Sequence, residues 1–165
     1  MDFREDIVQK YVSAVALTRQ SCDSFDDFAH KRLFEIINLM GPILIKGNNN
    51  MEYIKISIGG GRLEKPLVIE HDGTARKITP NECRLRGCSY SGPLYVDIHV
   101  EYKMKETKVV HEILKEVYIG RVPIMVFSSK CHLFKPETRV KNGECSQDPG
   151  GYYIINGNEK AIQGQ

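Results

Sequence analysis

The dipeptide Asn156-Gly157, set between the apolar residues 152–155 and Glu159-Lys160, constrains this chain more than any other feature. Asn-Gly is the strongest short-range hairpin signal, because both residues tolerate the positive φ that a tight two-residue turn requires. Just upstream, Asp148-Pro149 sets up a turn, and Gly150-Gly151 permits backbone angles that a Cβ resists, so a buried strand can start abruptly at Tyr152. The stretch predicts a strand, a tight turn and a return strand that carries Glu159 and Lys160 and runs off the end of the chain. Asp148, Pro149, Gly150, Gly151, Asn156 and Gly157 are its structural turn residues.

The hydrophobic period upstream changes once. Apolar residues at Phe3, Ile7, Val8, Tyr11, Val12 and Val15 follow the helical period and predict an amphipathic helix over residues 2–20. A second helix is expected over residues 25–40, with Phe25, Phe28, Ala29, Leu33, Ile36, Ile37 and Met40 on one stripe. Ser24 is its expected N-cap, Asp26 and Asp27 sit at its positive end, and Gly41-Pro42 is its stop. From there the period becomes two. Ile54, Ile56 and Ile58 alternate with polar residues as in a strand with one wet face.

Residues 67–69 read as a further strand, and the clearest one covers residues 94–102, where Leu94, Val96, Ile98, Val100 and Tyr102 oppose Tyr95, Asp97, His99 and Glu101. Turn clusters fall at residues 48–50, 59–61 and 71–73, with a polar turn at 103–107. Residues 108–116 fit a short helix or a strand, of which strand is favoured. Residues 118–127, with Pro123 inside, fit an edge or bulged strand, and residues 135–142 a charged surface loop. The fold class is α+β: two amino-terminal amphipathic helices followed by a mostly antiparallel sheet.

The chain has 165 residues, enough for one domain, and 23 basic against 21 acidic side chains give a formal charge of +2. That balance lacks the strong basicity of a free-standing nucleic-acid binder. Cys22, Cys83, Cys88, Cys131 and Cys145 have no pair at two-residue spacing, which favours free thiols in a reducing compartment over structural zinc, although Cys131, His132 and Cys145 lie near one another in sequence. Gly59-Gly60-Gly61-Arg62 lacks the Gly-Lys-Ser/Thr ending of a nucleotide loop, and no histidine pairs with a nucleophile by sequence logic. No apolar run is long enough to span a bilayer.

Arg84 and Arg86, near Tyr90, have two readings. On an extended segment they could hold phosphates, with the ring packed beneath; alternatively, each pairs with an acidic neighbour. Glu159 and Lys160 share the ambiguity, and as adjacent strand residues they face opposite ways.

The order of the residues adds a resemblance. Asp148-Pro149-Gly150-Gly151-Tyr152-Tyr153-Ile154-Ile155-Asn156-Gly157-Asn158-Glu159-Lys160 resembles a signature of the second-largest subunit of multisubunit DNA-dependent RNA polymerases. Residues 82–86 with 89–98, and residues 119–125 with 128–133, resemble it in the same order, and Ser24-Phe25-Asp26-Asp27-Phe28 is a weaker echo. The likeness is greater to eukaryotic, archaeal and large-DNA-virus forms than to bacterial ones.

The resemblance implies that residues 1–165 are the amino-terminal part of a protrusion domain, incomplete at the carboxy end: a fragment, a truncated gene model or one piece of a split subunit. It implies a segment of the cleft wall of a nucleotidyltransferase, itself without catalytic residues. Mg2+ would be held elsewhere in the polymerase, and zinc elsewhere in the subunit. Implied partners are the largest subunit, the other polymerase subunits and, through the assembled enzyme, the DNA template and RNA–DNA hybrid, with no membrane. The implied location is intracellular: the nucleus, or the host cytoplasm and virion for a viral member. The cleft-proximal candidates are Arg84, Arg86, Lys160 and Gln165, the last by its offset from the Asn-Gly turn. A free-standing protein-interaction module with a polymerase-derived fold is the alternative.

Overall fold

In the computed structural model the described residues are Arg4, Ile7, 18–47, 51–104 and 109–162. Arg4 and Ile7 are helical; the rest of the helix expected before Thr18 lies outside the described residues, as do the turn expected at 48–50, residues 105–107 of the turn expected at 103–107 and the candidate Gln165, whereas Lys103 and Met104 are strand and not turn. Two compact units are present, one of residues Met1–Phe28, Lys65–Gly92 and Pro123–Gln165, the other of Ala29–Glu64 and Pro93–Val122.

The helical segment begins earlier than its periodicity predicts. Helix α1 covers Arg19–Asp27, a π-helical turn follows at Phe28–Arg32, and α2 runs over Leu33–Leu39 before Gly41, at φ +67, ends it. Ser24 therefore lies inside α1 and is not its N-cap. Thr18 precedes the helix, and its hydroxyl donates to Pro149 O at 2.6 Å instead of capping. Asp26 and Asp27 sit at the end of α1, not at a positive terminus, and Asp26 accepts from Ser129 N at 3.0 Å and Ser129 Oγ at 2.8 Å. Of the predicted stripe, Phe25, Ala29 and Ile37 are buried, whereas Ile36 and Met40 are exposed.

The second unit is built on a four-stranded sheet of β1 (Ile43–Lys46), β2 (Met51–Leu63), β5 (Ser91–Met104) and β6 (Val110–Pro123), in the order β1-β2-β5-β6. β1 pairs antiparallel with β2, and β2 antiparallel with β5, with Ile56 opposite Val100 and Leu63 opposite Leu94. Residues 110–116 are strand, as favoured, and β6 lies at the sheet edge and ends at Pro123, where proline removes a ladder donor. Within β6, Glu116 takes φ +56 and gives its N–H to Asp97 Oδ1 at 2.9 Å.

Gly59, Gly60 and Gly61 do not form the expected turn. They continue β2 through a register shift between Ile58 and Gly61, and two of them are needed for close packing. A Cβ on Gly61 would meet the Phe34 ring at 2.7 Å and Tyr95 O at 3.1 Å; one on Gly59 would meet the tip of the His99 ring at 2.5 Å. Gly61→Ala is expected to cost about 1–3 kcal/mol by overpacking, whereas Gly59→Ala costs less because an imidazole swings aside and a backbone carbonyl does not. Thermal melting of the two variants checks the order. Along residues 53–58 the side chains of both faces are half-buried, so the expected contrast of dry and wet faces is absent.

The first unit holds most of the buried apolar side chains, including Phe25, Ile78, Cys83, Tyr90, Ile124, Val126, Cys131, Leu133 and Ile154. The ribbon β3 (Leu67–Ile69) and β4 (Ala75–Lys77) turns through His71-Asp72-Gly73, where Asp72 Oδ1 accepts from Thr74 N at 2.9 Å. Residues 124–126 are laced into the core by main-chain bonds, Ile124 N to Tyr90 O at 2.9 Å and Val126 N to Tyr152 O at 2.8 Å. Tyr90 is wholly buried, its hydroxyl 3.3 Å from Cys131 Sγ and accepting from His132 N at 3.0 Å, so no phosphate can lie over its ring. The region expected as an irregular loop at 135–142 contains a short helix, α4 (Pro136–Arg139), and a 3-10 turn at Val140–Asn142.

Candidate functional site

Residues 80–86 are not extended. They form helix α3 (Pro80–Arg86), with Thr79 Oγ1 accepting from Glu82 N, Pro80 in the first turn, and Gly87 in the left-handed conformation at φ +66. Cys88 N returns to Cys83 O at 3.0 Å, which closes the helix end. A helix displays Arg84 and Arg86 on different azimuths, so the paired phosphate grip expected of an extended segment is not formed.

The hairpin β7 (Tyr153–Ile155) and β8 (Asn158–Lys160) has the predicted register, with Ile155 opposite Asn158. Asn156 at φ +51 and Gly157 at φ +77 make the two-residue turn, and Gly150 and Gly151, at φ +71 and +79, make the bend before it. The return strand ends at Lys160, with Ala161 and Ile162 outside any strand. The turn is stitched to the loop that leaves α3: Gly157 N donates to Cys88 O at 3.0 Å and Asn156 N to Ser89 Oγ at 3.0 Å. Gly151 leaves room for Thr18, whose Cβ would be 2.5 Å from an added Cβ.

These elements converge on Arg84. Its Nη1 donates to Glu144 Oε2 at 2.9 Å and Oε1 at 3.2 Å, its Nε to Glu159 Oε1 at 2.7 Å, and its Nη2 to the Tyr152 hydroxyl at 2.5 Å. Tyr152 in turn donates to Asp148 Oδ2 at 2.6 Å, and Asp148 Oδ1 accepts from Gly150 N at 2.9 Å. The Glu144 side chain is only 2% exposed, so its charge depends on the guanidinium. Burial, then the bond to Asp148, raises the Tyr152 hydroxyl well above its ordinary pKa, and it remains a donor.

Arg86 faces a second network, bonded to Glu70 Oε1 and Oε2 at 2.9 Å each and to Glu82 Oε1 at 3.0 Å. Arg76 closes it, with Nε to Glu70 at 2.7 Å and a bidentate contact with Glu82. The bonds from Arg86, then Arg76, lower Glu70 from 4.5 to about 2, and Arg76 leads in lowering Glu82. A depressed carboxylate stabilises the fold fully above its unfolded pKa, and that contribution is lost as pH falls towards the folded value. Glu70→Gln is therefore expected to melt below wild type at neutral pH. The difference should close as the pH falls from 4.5 towards 2, followed by circular dichroism.

Of the candidate residues, Arg84 and Arg86 are thus engaged in internal ion pairs. The structure brings Arg84 together with the turn residues Asp148 and Gly150, and with Glu159. Lys160 pairs with Tyr153 across the hairpin, and its side chain is exposed. Glu144, Glu70 and Arg76 escaped the sequence reading; Glu144 lies 60 residues from Arg84, beyond any local pattern. Cys131 and His132 are also used internally, His132 Nε2 donating to Pro66 O at 2.6 Å. Among the described residues no three His, Cys, Asp or Glu side chains converge to hold a metal ion, and no helix is long and apolar enough to cross a membrane.

Residues 16–165 match the family described as RNA polymerase beta subunit. The chain is 37% identical over 175 residues to DNA-directed RNA polymerase II subunit 2 of Arabidopsis thaliana, covering 96% of this chain and 15% of that protein. It is 37% identical over 166 residues to DNA-directed RNA polymerase subunit Rpo2N of Methanocaldococcus jannaschii, covering 98% of this chain and 32% of that protein. Against DNA-directed RNA polymerase II subunit RPB2 of Encephalitozoon cuniculi it is 33% identical over 167 residues, covering 96% and 15%. The chain thus spans a third or less of the length of these relatives.

Proposed function

This chain belongs to the RNA polymerase beta subunit family, and from that premise we propose that it is the amino-terminal, protrusion-like segment of the second-largest subunit of a DNA-dependent RNA polymerase, forming part of the wall of the nucleic-acid cleft. The observation that carries the reading is the continuous match from residue 16 to residue 165, which takes in both units and every element around Arg84. In this reading the segment works as a braced scaffold. The Arg84 network ties α3 to the β7–β8 hairpin, and the turn glycines hold the hairpin in one conformation.

The activity proposed for the assembled enzyme is template-directed nucleotidyl transfer with Mg2+, inside the cell, with the largest subunit and the other polymerase subunits as partners. Zinc, where present, would belong to other parts of the subunit. No step of that reaction is assigned to residues of this chain.

The test has two parts. Tagged chain purified from its own cells is expected to bring down large polymerase subunits and to extend a primed template with Mg2+, whereas the purified chain alone extends nothing. Synthesis by the chain alone would overturn the assignment of catalysis to other parts. A sharply melting monomer that brings down no polymerase subunit would favour the free-standing interaction module.

A further inference from the structure

Two Asn-Gly pairs lie within the described residues, Asn142-Gly143 and Asn156-Gly157. Asparagine followed by glycine is a chemically labile pair, because the main-chain nitrogen of a residue without a side chain reaches the asparagine Cγ unhindered. Closure of that ring needs the nitrogen released from its hydrogen bond and the asparagine released from its folded dihedral angles. The two pairs differ in what holds those atoms.

At Asn156 both reacting groups are held by another element. Gly157 N donates to Cys88 O at 3.0 Å, and Asn156 Oδ1 accepts from Ser89 Oγ at 3.2 Å, the same hydroxyl oxygen that accepts from Asn156 N. Gly157 is also packed against the end of α3, where an added Cβ would lie 2.8 Å from Gly87 Cα. Freeing its nitrogen means parting the hairpin from α3. At Asn142 the bonds stay within one short piece of chain: Asn142 Nδ2 donates to Thr138 O at 2.6 Å, and Gly143 N to Val140 O at 3.1 Å. Asn142 and Gly143 are exposed, and they close the piece formed by α4 and the 3-10 turn at Val140–Asn142, with Gly143 at φ +82. So short a helical segment frays without disturbing the core.

We infer that Asn142 is a site of spontaneous deamidation in the folded chain, that Asn156 is spared, and that the change at residue 142 loosens the hold on Glu144. Gly143 N attacks Asn142 Cγ and gives up its proton; the Cγ–Nδ2 bond breaks, ammonia leaves, and a cyclic imide remains. Water then opens the imide at either carbonyl. One opening leaves an ordinary aspartate, and the other leaves isoaspartate, in which the main chain runs through the side-chain methylene and is longer by that carbon. Glu144 lies just beyond: its N–H donates to Arg139 O at 3.1 Å across the same turn, and its buried carboxylate is the partner of Arg84. An extra main-chain carbon ahead of Gly143 disrupts that closure. The inference is independent of the polymerase reading.

The test is peptide mapping by mass spectrometry of the purified full chain kept in mildly alkaline buffer, with isoaspartate counted by enzymatic methyl-ester labelling. In the folded chain, conversion at Asn142 is expected to outrun that at Asn156 by roughly tenfold or more, since only the second requires an opening that parts two elements. In urea, where both pairs are released, the two rates should converge. Asn142→Gln should remove most of the label from the folded chain, because glutamine closes its larger ring slowly, whereas Asn156→Gln should leave the label in place. The isoaspartate fraction should melt below an Asn142→Asp variant, which carries the same charge without the extra main-chain carbon. Equal rates at the two sites in the folded chain, faster conversion at Asn156, or conversion at Asn142 only in urea would overturn the assignment. Melting equal to that of Asn142→Asp would overturn the link to Glu144.

Discussion

Arg84→Ala is expected to lower the stability of the chain by about 3–5 kcal/mol, the typical cost of stranding one charge of a buried pair. The charge left behind is that of Glu144, whose side chain is 2% exposed and whose two oxygens both accept from the guanidinium. Tyr152 and Glu159 lose a donor in the same step, so the side-chain ties from α3 to the hairpin and to the segment around residue 144 are lost together.

Two controls separate this account from simple loss of packing. Glu159→Gln should cost about 0–1 kcal/mol, because that carboxylate is 56% exposed and water replaces the lost partner. The double change Arg84→Met/Glu144→Leu should recover most of what Arg84→Ala loses, since no charge then remains buried. Urea denaturation of the four proteins decides the matter. An Arg84→Ala midpoint equal to wild type would remove the ion pair from the account of stability.

Gly157→Val is expected to be the second most damaging single change. A β-branched residue at φ +77 costs about 1–3 kcal/mol from the backbone alone. Its Cβ would in addition lie 2.8 Å from Gly87 Cα and 3.3 Å from Arg84 O, atoms of the main chain that closes α3 and cannot rotate away. The hairpin turn and the helix end would have to separate, breaking the bond from Gly157 N to Cys88 O. Gly73→Val provides the comparison: its φ is +82, but nothing lies within 4 Å of an added Cβ, so only the conformational part should be felt. Equal melting temperatures for the two variants would show that the approach of Gly87 to the turn adds nothing.

What the sequence by itself determined is what depends on a few adjacent residues. The Asn156-Gly157 turn, the bend at Gly150-Gly151, the stop at Gly41-Pro42 and the long strand through residues 94–102 were legible, because φ preferences and strand alternation act over one to several residues. Helix α3 was missed although its signals are local: Thr79 with Glu82 three residues on, Pro80 at its start and Gly87 past its end. The alternation of Arg84 and Arg86 suggested an extended segment instead. Gly59 to Gly61 misled for a related reason: glycine marks both a turn and a close approach, and only the positions of Phe34, Tyr95 and His99 distinguish them. Ser24 was misplaced as a cap because the helical period does not report where the first turn begins.

The roles of the charged residues were decided by tertiary structure alone. Arg84 meets Glu144 across 60 residues and Glu159 across 75, and Arg86 meets Glu70 across 16. A guanidinium on a solvent-facing helix and one clamped to a buried carboxylate look identical in sequence, because the difference lies in desolvation and distance, which arise only when separate segments fold together.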